Sequence, residues 1–192
     1  RWRRRRCRSS RQGSSRSQAV MVRVQPASIK IDPRRCMGDW YVQRFIPASK
    51  WLEGPAHNGK ENYEYDEAKD RVKVTYTFNK GSLDGPVVTT YQRGYVRKDK
   101  GGYGTEWAVR PYLGFLGLPF HLPFSLSYYI LDIDPADYSF LTCSAPDGSW
   151  MYVMTRAQEV DDAFLAPTLA KLSTLGFDMR QIRTMPQKAP SD

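Results

Sequence analysis

His57 and His121 are the side chains best suited to proton transfer near neutral pH, and both lie in stretches rich in glycine or proline, PAHNGK and LPFHLP. Neither has a serine or cysteine partner in a recognisable motif, and no Gly-x-Ser-x-Gly elbow occurs, so nucleophilic hydrolysis has no obvious machinery. Asp132 and Asp134 alternate on one strand face, and Asp161 and Asp162 are adjacent. Turn capping and solvated faces are the usual duties of such carboxylates. The run KGGYG lacks the Lys-Ser/Thr element and the following helix of a phosphate loop. Cys7, Cys36 and Cys143 form neither a disulfide framework nor a zinc spacing. Cys36 and Cys143 either pair, if an early and a late strand are neighbours, or persist as two partly buried thiols. The residues point to no metal, no cofactor and no catalytic set, so the expectation is a protein that is not an enzyme.

The elements that position these residues are strands. Twelve tyrosines, eight phenylalanines and five tryptophans in 192 residues favour extended chain, where broad rings pack across a sheet. The net charge of +9 suggests nucleic acid until it is divided along the chain. Residues 1–35 hold twelve Lys and Arg against one acid, leaving seventeen basic and nineteen acidic residues for the remainder. A phosphate-tracking groove needs its positive charge on the folded surface, so no nucleic-acid partner is expected. The basic segment, rich in Arg and Ser with no acid before Asp32, resembles an organelle transit segment. A chloroplast or another organelle is the expected destination, or the cytoplasm if translation starts at Met21. The expected organisation is a basic disordered leader over 1–30, a folded domain over 31–186 and a frayed tail over 187–192.

Period-two alternation begins at WYVQRFI (40–46) and returns through the hairpin NYEYDEAKDRVKVTYTF (62–78), where Val72, Val74, Tyr76 and Phe78 alternate with polar residues. Further candidates are VVTTYQRGYVR, YGTEWAVRPY, SLSYYILDI, YSFLTCS and SWMYVMT, joined by short turns. The period then changes. Val160, Phe164, Leu165, Leu169 and Leu172 share a stripe, predicting one helix of about 15 residues that starts near Glu159 or Asp161, contains Pro167 and ends at Gly176. Eight strands followed by one helix fit a closed barrel with the helix on its wall, or a two-sheet sandwich.

GDWY at the start of the first strand resembles the Gly-x-Trp signature of the lipocalins, carried by Gly38 and Trp40. PADYSFL resembles the second signature through Asp137 and Tyr138, and SWMYVMTR resembles the third through Arg156. The order of strands, arginine, helix, LGFD and a short strand is similar to the bacterial outer-membrane and plant temperature-induced (apolipoprotein D-like) lipocalins. The resemblance implies an all-β fold: an eight-stranded antiparallel up-and-down β-barrel with a C-terminal α-helix packed on the wall. It further implies that Trp40 closes one end with Arg156 laid across it, and that Asp137 accepts turn amides.

The function implied is binding, transport or sequestration of a small hydrophobic ligand such as a fatty acid, lysophospholipid or isoprenoid, with a part in membrane protection under stress. Parity from Trp40 directs Val42, Arg44 and Ile46 into the barrel, with Val74, Tyr76, Phe78, Tyr91, Trp107, Tyr129, Leu131, Tyr152 and Met154 as further lining. Arg44 is either an anchor for a ligand carboxylate or phosphate, or a structural residue that pairs with Glu106 or Asp132 or reaches the rim. The apolar run 111–124, with Leu116 and Phe120, is expected to form a portal and to offer peripheral membrane contact. The alternative function is an enzyme acting on a lipid or xanthophyll-like substrate inside the cavity, through Tyr76, Tyr91, Tyr129 and Asp132.

Overall fold

A computed structural model of the chain describes residues 22–98, 101–114 and 117–188; Leu116 and residues 1–21 lie outside these. The strands are β1 (Gly38–Ile46), β2 (Ala56–Asp66), β3 (Arg71–Lys80), β4 (Val87–Val96), β5 (Glu106–Pro111), β6 (Leu126–Ile133), β7 (Phe140–Ser144), β8 (Met151–Thr155) and the short β9 (Arg183–Thr184). A four-residue helix α1 (Lys50–Glu53) follows β1, and α2 (Asp162–Thr174) follows β8. Each of β2 to β7 pairs antiparallel with the next strand in sequence. β1 closes the cycle: one edge runs along β8, and the other is shared between β2 and β9. The eight-stranded barrel is therefore complete, and the two-sheet sandwich is excluded.

The alternation read from β3 holds: Val72, Val74, Tyr76 and Phe78 are buried while their neighbours are less so. β8 is buried on both faces. Tyr152 and Met154 point into the barrel cluster, and Met151 and Val153 pack under α2 with Leu165 and Leu172. Asp161 caps α2 by accepting the Phe164 amide at 2.7 Å. Its end is a Schellman turn, with the Phe177 amide donating to Leu172 and the Gly176 amide to Ser173 while Gly176 takes φ +92°. Pro167 sits inside the helix, and Thr168 joins Leu165 and Leu172 on the buried face. Phe164 is instead 43% exposed, edge-on to Phe140.

Parity from Trp40 holds only as far as Val42. The register against β8 shifts between Val42 and Arg44, which inserts one extra residue and reverses the faces. Phe45 turns into the barrel, whereas Ile46 packs in the helix-side cluster. Arg44 turns outward to Asp162 at the start of α2, with Nη2 2.5 Å from the carboxylate.

Trp40 is fully buried and donates its indole N–H to the Cys36 carbonyl at 2.7 Å. The Arg156 guanidinium lies 3.7 Å from the Trp40 ring centroid and donates to the Asp39 and Arg35 carbonyls, both at 2.8 Å. Gly38 takes φ +95° beneath that guanidinium, a conformation that a side chain would strain. The turn between β6 and β7 corrects one expectation: Asp134 rather than Asp137 accepts the turn amides, from Ala136 and Ser139. Tyr138 at φ +54° accepts the Asp32 amide on its hydroxyl, and Arg35 stacks 4.0 Å from its ring. Cys36 and Cys143 are both buried and unpaired. The stretch 22–30, assigned from sequence to the leader, runs along the wall as a strap: Val24 and Ala27 donate to Pro146 and Ile130, and Val24 is buried beside α2.

Candidate functional site

Away from Trp40 the barrel interior opens into a cavity of ≈ 190 Å³. Its roof is α1, which Ser49 caps by accepting the Leu52 amide. The helix turns Leu52 and Glu53 inward and leaves Trp51 in solvent, 70% exposed with the Lys80 ammonium 5.1 Å from its ring. Glu53 is buried and accepts the hydroxyl of Tyr152 on β8, tying roof to wall.

The wall is aromatic. Phe78, Tyr76, Tyr152, Trp150, Tyr128, Trp107 and Tyr63 form a ribbon of rings with successive centroids 5.2, 6.0, 5.7, 5.6, 5.7 and 5.8 Å apart. Its last members close the cavity floor, where Tyr63 and Tyr128 share a 2.8 Å hydroxyl contact and Tyr63 donates to Glu61. Burial pushes the Glu61 carboxyl up to about 7, against the Tyr63 hydrogen bond and with the nearby Glu53 adding to the rise. Burial likewise raises Glu53, opposed by the Tyr152 hydroxyl and by backbone groups at Ala48 and Ser49. Tyr76 stands above its ordinary value through burial first, then through Glu53 and Glu61.

The residues expected to line a ligand site divide three ways. Tyr76, Tyr91 and Tyr152 line the cavity. Val42, Val74, Phe78, Trp107 and Met154 belong to the packed core beneath or beside it, so the hollow does not run the length of the barrel. Arg44, Ile46, Tyr129 and Leu131 are on the outside, against α2 and the strap. The anchor role for Arg44 is thus corrected by the bulge in β1. In β6 both faces are apolar, so alternation alone gave the wrong set: Tyr128 and Ile130 face in. Asp132 also faces out, bonded to Lys171 at 2.7 Å, which leaves Tyr76 and Tyr91 as the cavity members of the enzyme alternative. Phe120 is 51% exposed and Phe124 58%, while His121 packs against Tyr112 outside the cavity.

Glu53, Glu61, Tyr63, Tyr128 and Trp150 are the site residues that the sequence reading missed. A signal existed for Glu61: extending the period of Tyr63 and Tyr65 backward places Glu61 on their face. Among the described residues no cluster of three His, Cys, Asp or Glu side chains could hold a metal ion.

A family model described as a lipocalin-like domain matches residues 31–187. A search of curated protein sequences returns no match. Among solved structures, insecticyanin from the tobacco hornworm Manduca sexta is similar with a TM-score of 0.61 at 13% identity, covering 86% of this chain and 85% of that one. The cockroach allergen Per a 4 gives 0.60 at 16% identity over 88% and 96%. Lobster apocrustacyanin A1 gives 0.57 at 14% identity over 88% and 92%. At such identities the likeness speaks for the shared fold alone.

Proposed function

Because the chain belongs to the lipocalin-like domain family, we propose that it carries or sequesters a small hydrophobic ligand in the cavity beneath α1. One observation carries this reading: a roofed hollow walled by ring faces, inside a barrel otherwise filled by its own side chains. A dry cavity of about 150 Å³ suffices for benzene. The ≈ 190 Å³ here therefore suits one ring-sized group or a short acyl end, with the rest of a longer molecule leaving through the mouth. Burying such a group contributes about 25 cal/mol per Å² of apolar area. Native mass spectrometry of the purified protein, followed by extraction, is expected to reveal a co-purifying hydrophobic molecule. Val109→Trp, which fills the cavity, should abolish its uptake while preserving the circular dichroism of the barrel. Equal uptake by that variant rejects the carrier reading.

The finer kinship with bacterial outer-membrane and plant temperature-induced lipocalins, and with it a role in membrane protection under stress, is supported by the order of Arg156, α2, LGFD and β9. Trp51, Leu118, Phe120 and Phe124 are exposed apolar groups on the roof and the β5–β6 loop, and they support peripheral contact with a lipid surface during loading. Phe120→Ser with Phe124→Ser should reduce liposome association. Delivery to an organelle by the basic leader is tested by deleting residues 1–21, which leaves the strap intact; unchanged location refutes it.

A second reading, chemistry inside the barrel, is favoured by Glu61, a buried carboxyl held near 7 beside the cavity. Turnover of a lipid epoxide that is lost in Glu61→Gln would support it, whereas stoichiometric capture without conversion would refute it.

A further inference from the structure

Glu61 on β2 and Tyr76 on β3 are direct cross-strand partners, and both line the cavity. Tyr76 is only 3% exposed, yet its hydroxyl has no hydrogen-bond partner among the described residues. Buried hydroxyls are seldom left unpaired, because desolvation is then uncompensated. Glu53 reaches the same space from the roof. Among the described residues no Lys, Arg or His lines the cavity, and the one arginine that sequence parity aimed at it, Arg44, is engaged outside by Asp162. This pocket therefore combines an unused donor and acceptor with two carboxyl groups and no cation.

We propose that the cavity selects an uncharged ligand bearing a hydroxyl or carbonyl oxygen on its enclosed end, with the Tyr76 hydroxyl as hydrogen-bond partner and with Glu53 and Glu61 rejecting anionic ends. The proposal rests on the carrier reading and deepens it by naming the chemistry of the ligand. A tyrosine hydroxyl both donates and accepts, so it serves either oxygen function. A ligand carboxylate enclosed in the cavity would meet one acid from the roof and one from the wall, in a medium of low dielectric without a counter-charge. A fatty acid is accommodated only with its head at the mouth.

The rejection depends on pH. The ionisable groups that act on Glu61 or share its pocket include Glu53 from α1, Tyr63 from β2, Tyr76 from β3, Tyr128 from β6, Cys143 from β7 and Tyr152 from β8. Tyr91 from β4 and Tyr112, which follows β5, also line the pocket; all of these groups are acids, and the other lining residues of β4 and β5, such as Thr90, Gln92 and Val109, do not ionise. Protonation of Glu61 near its value of about 7 removes one of the two repelling charges.

The test is equilibrium dialysis of the full chain with three probes of one ring skeleton: naphthalene, β-naphthol and β-naphthoate. At about pH 8 the wild type should bind β-naphthol about ten-fold more tightly than naphthalene, and β-naphthoate more weakly than either by about ten-fold. Tyr76→Phe should bring β-naphthol down to the level at which the same variant binds naphthalene. Glu61→Gln, or a fall to about pH 6, should restore several-fold affinity for β-naphthoate, which stays ionised there. Wild-type binding of β-naphthoate as tight as that of β-naphthol overturns the proposal, as does a Tyr76→Phe variant with undiminished preference for β-naphthol. Naphthalene separates the two levels: if it binds and the oxygen and charge preferences are absent, the carrier reading stands and this inference falls. If none of the three binds, both fall.

Discussion

Around Trp40 the polar groups that touch the ring are paired. The indole N–H meets Cys36, and Arg156 covers the ring while donating to two backbone carbonyls. Around the cavity beneath α1, Glu53 and Glu61 are buried without a cation among the described lining residues, Tyr76 keeps an idle hydroxyl, and above it Trp51 and Phe120 stand in solvent. The first region obeys the rules of a stable core. The second breaks several of them at once, and such departures concentrate where a protein meets another molecule. The contrast separates residues that hold the barrel shut from residues that keep part of it available.

Trp40→Ala attacks the closed end and should have the largest effect, a loss of about 3–5 kcal/mol in denaturant unfolding. An unaltered midpoint would show that this end is not where the barrel is secured. Glu61→Gln should act in the opposite direction. The Glu61 carboxyl is raised from 4.5 to about 7 in the folded chain, so the folded state holds this proton more tightly than the unfolded state. Its favourable contribution is complete below about 4.5 and is lost as pH rises through about 7. Removing the ionisation should therefore stabilise the protein by up to ~3 kcal/mol at about pH 8 and by little at about pH 4. Unfolding curves for both proteins across that range check it; parallel profiles would place Glu61 in a less demanding setting.

Tyr152→Phe leaves the Glu53 carboxyl in the roof without its hydroxyl donor. A cost of about 1–2 kcal/mol is expected, with faster amide exchange across residues 50–53 than in β3. Uniform exchange would mean that roof and wall open together. Arg44→Ala should do least. Its partner Asp162 is 90% exposed, so less than about 1 kcal/mol is at stake, and ligand uptake should be unchanged.

Alternation exposed the barrel in the sequence wherever one strand face alone is buried, as in β3. It failed where both faces are covered. β6 lies between the core and the α2 cluster, so Tyr129 and Leu131 look as inward as Tyr128 and Ile130. The bulge after Val42 leaves no mark in composition, and it alone moved Arg44 from the interior to the surface. Trp40 and Arg156 were legible because their types and order carry the signature. Glu61 had only its parity with Tyr63 and Tyr65 to mark it, against the ordinary reading of a charged strand residue as solvent-facing. The strap 22–30 was hidden by its basic neighbours, although Val22 and Val24 interrupt the polar run.

The ribbon of seven rings that runs from the packed core along the cavity makes this protein its own optical reporter. Transitions of indole and phenol groups held about 6 Å apart couple to one another. A guest slipped among Tyr76, Trp150 and Tyr152 would perturb that coupling, so occupancy should register in near-ultraviolet dichroism with no dye attached and no competing label.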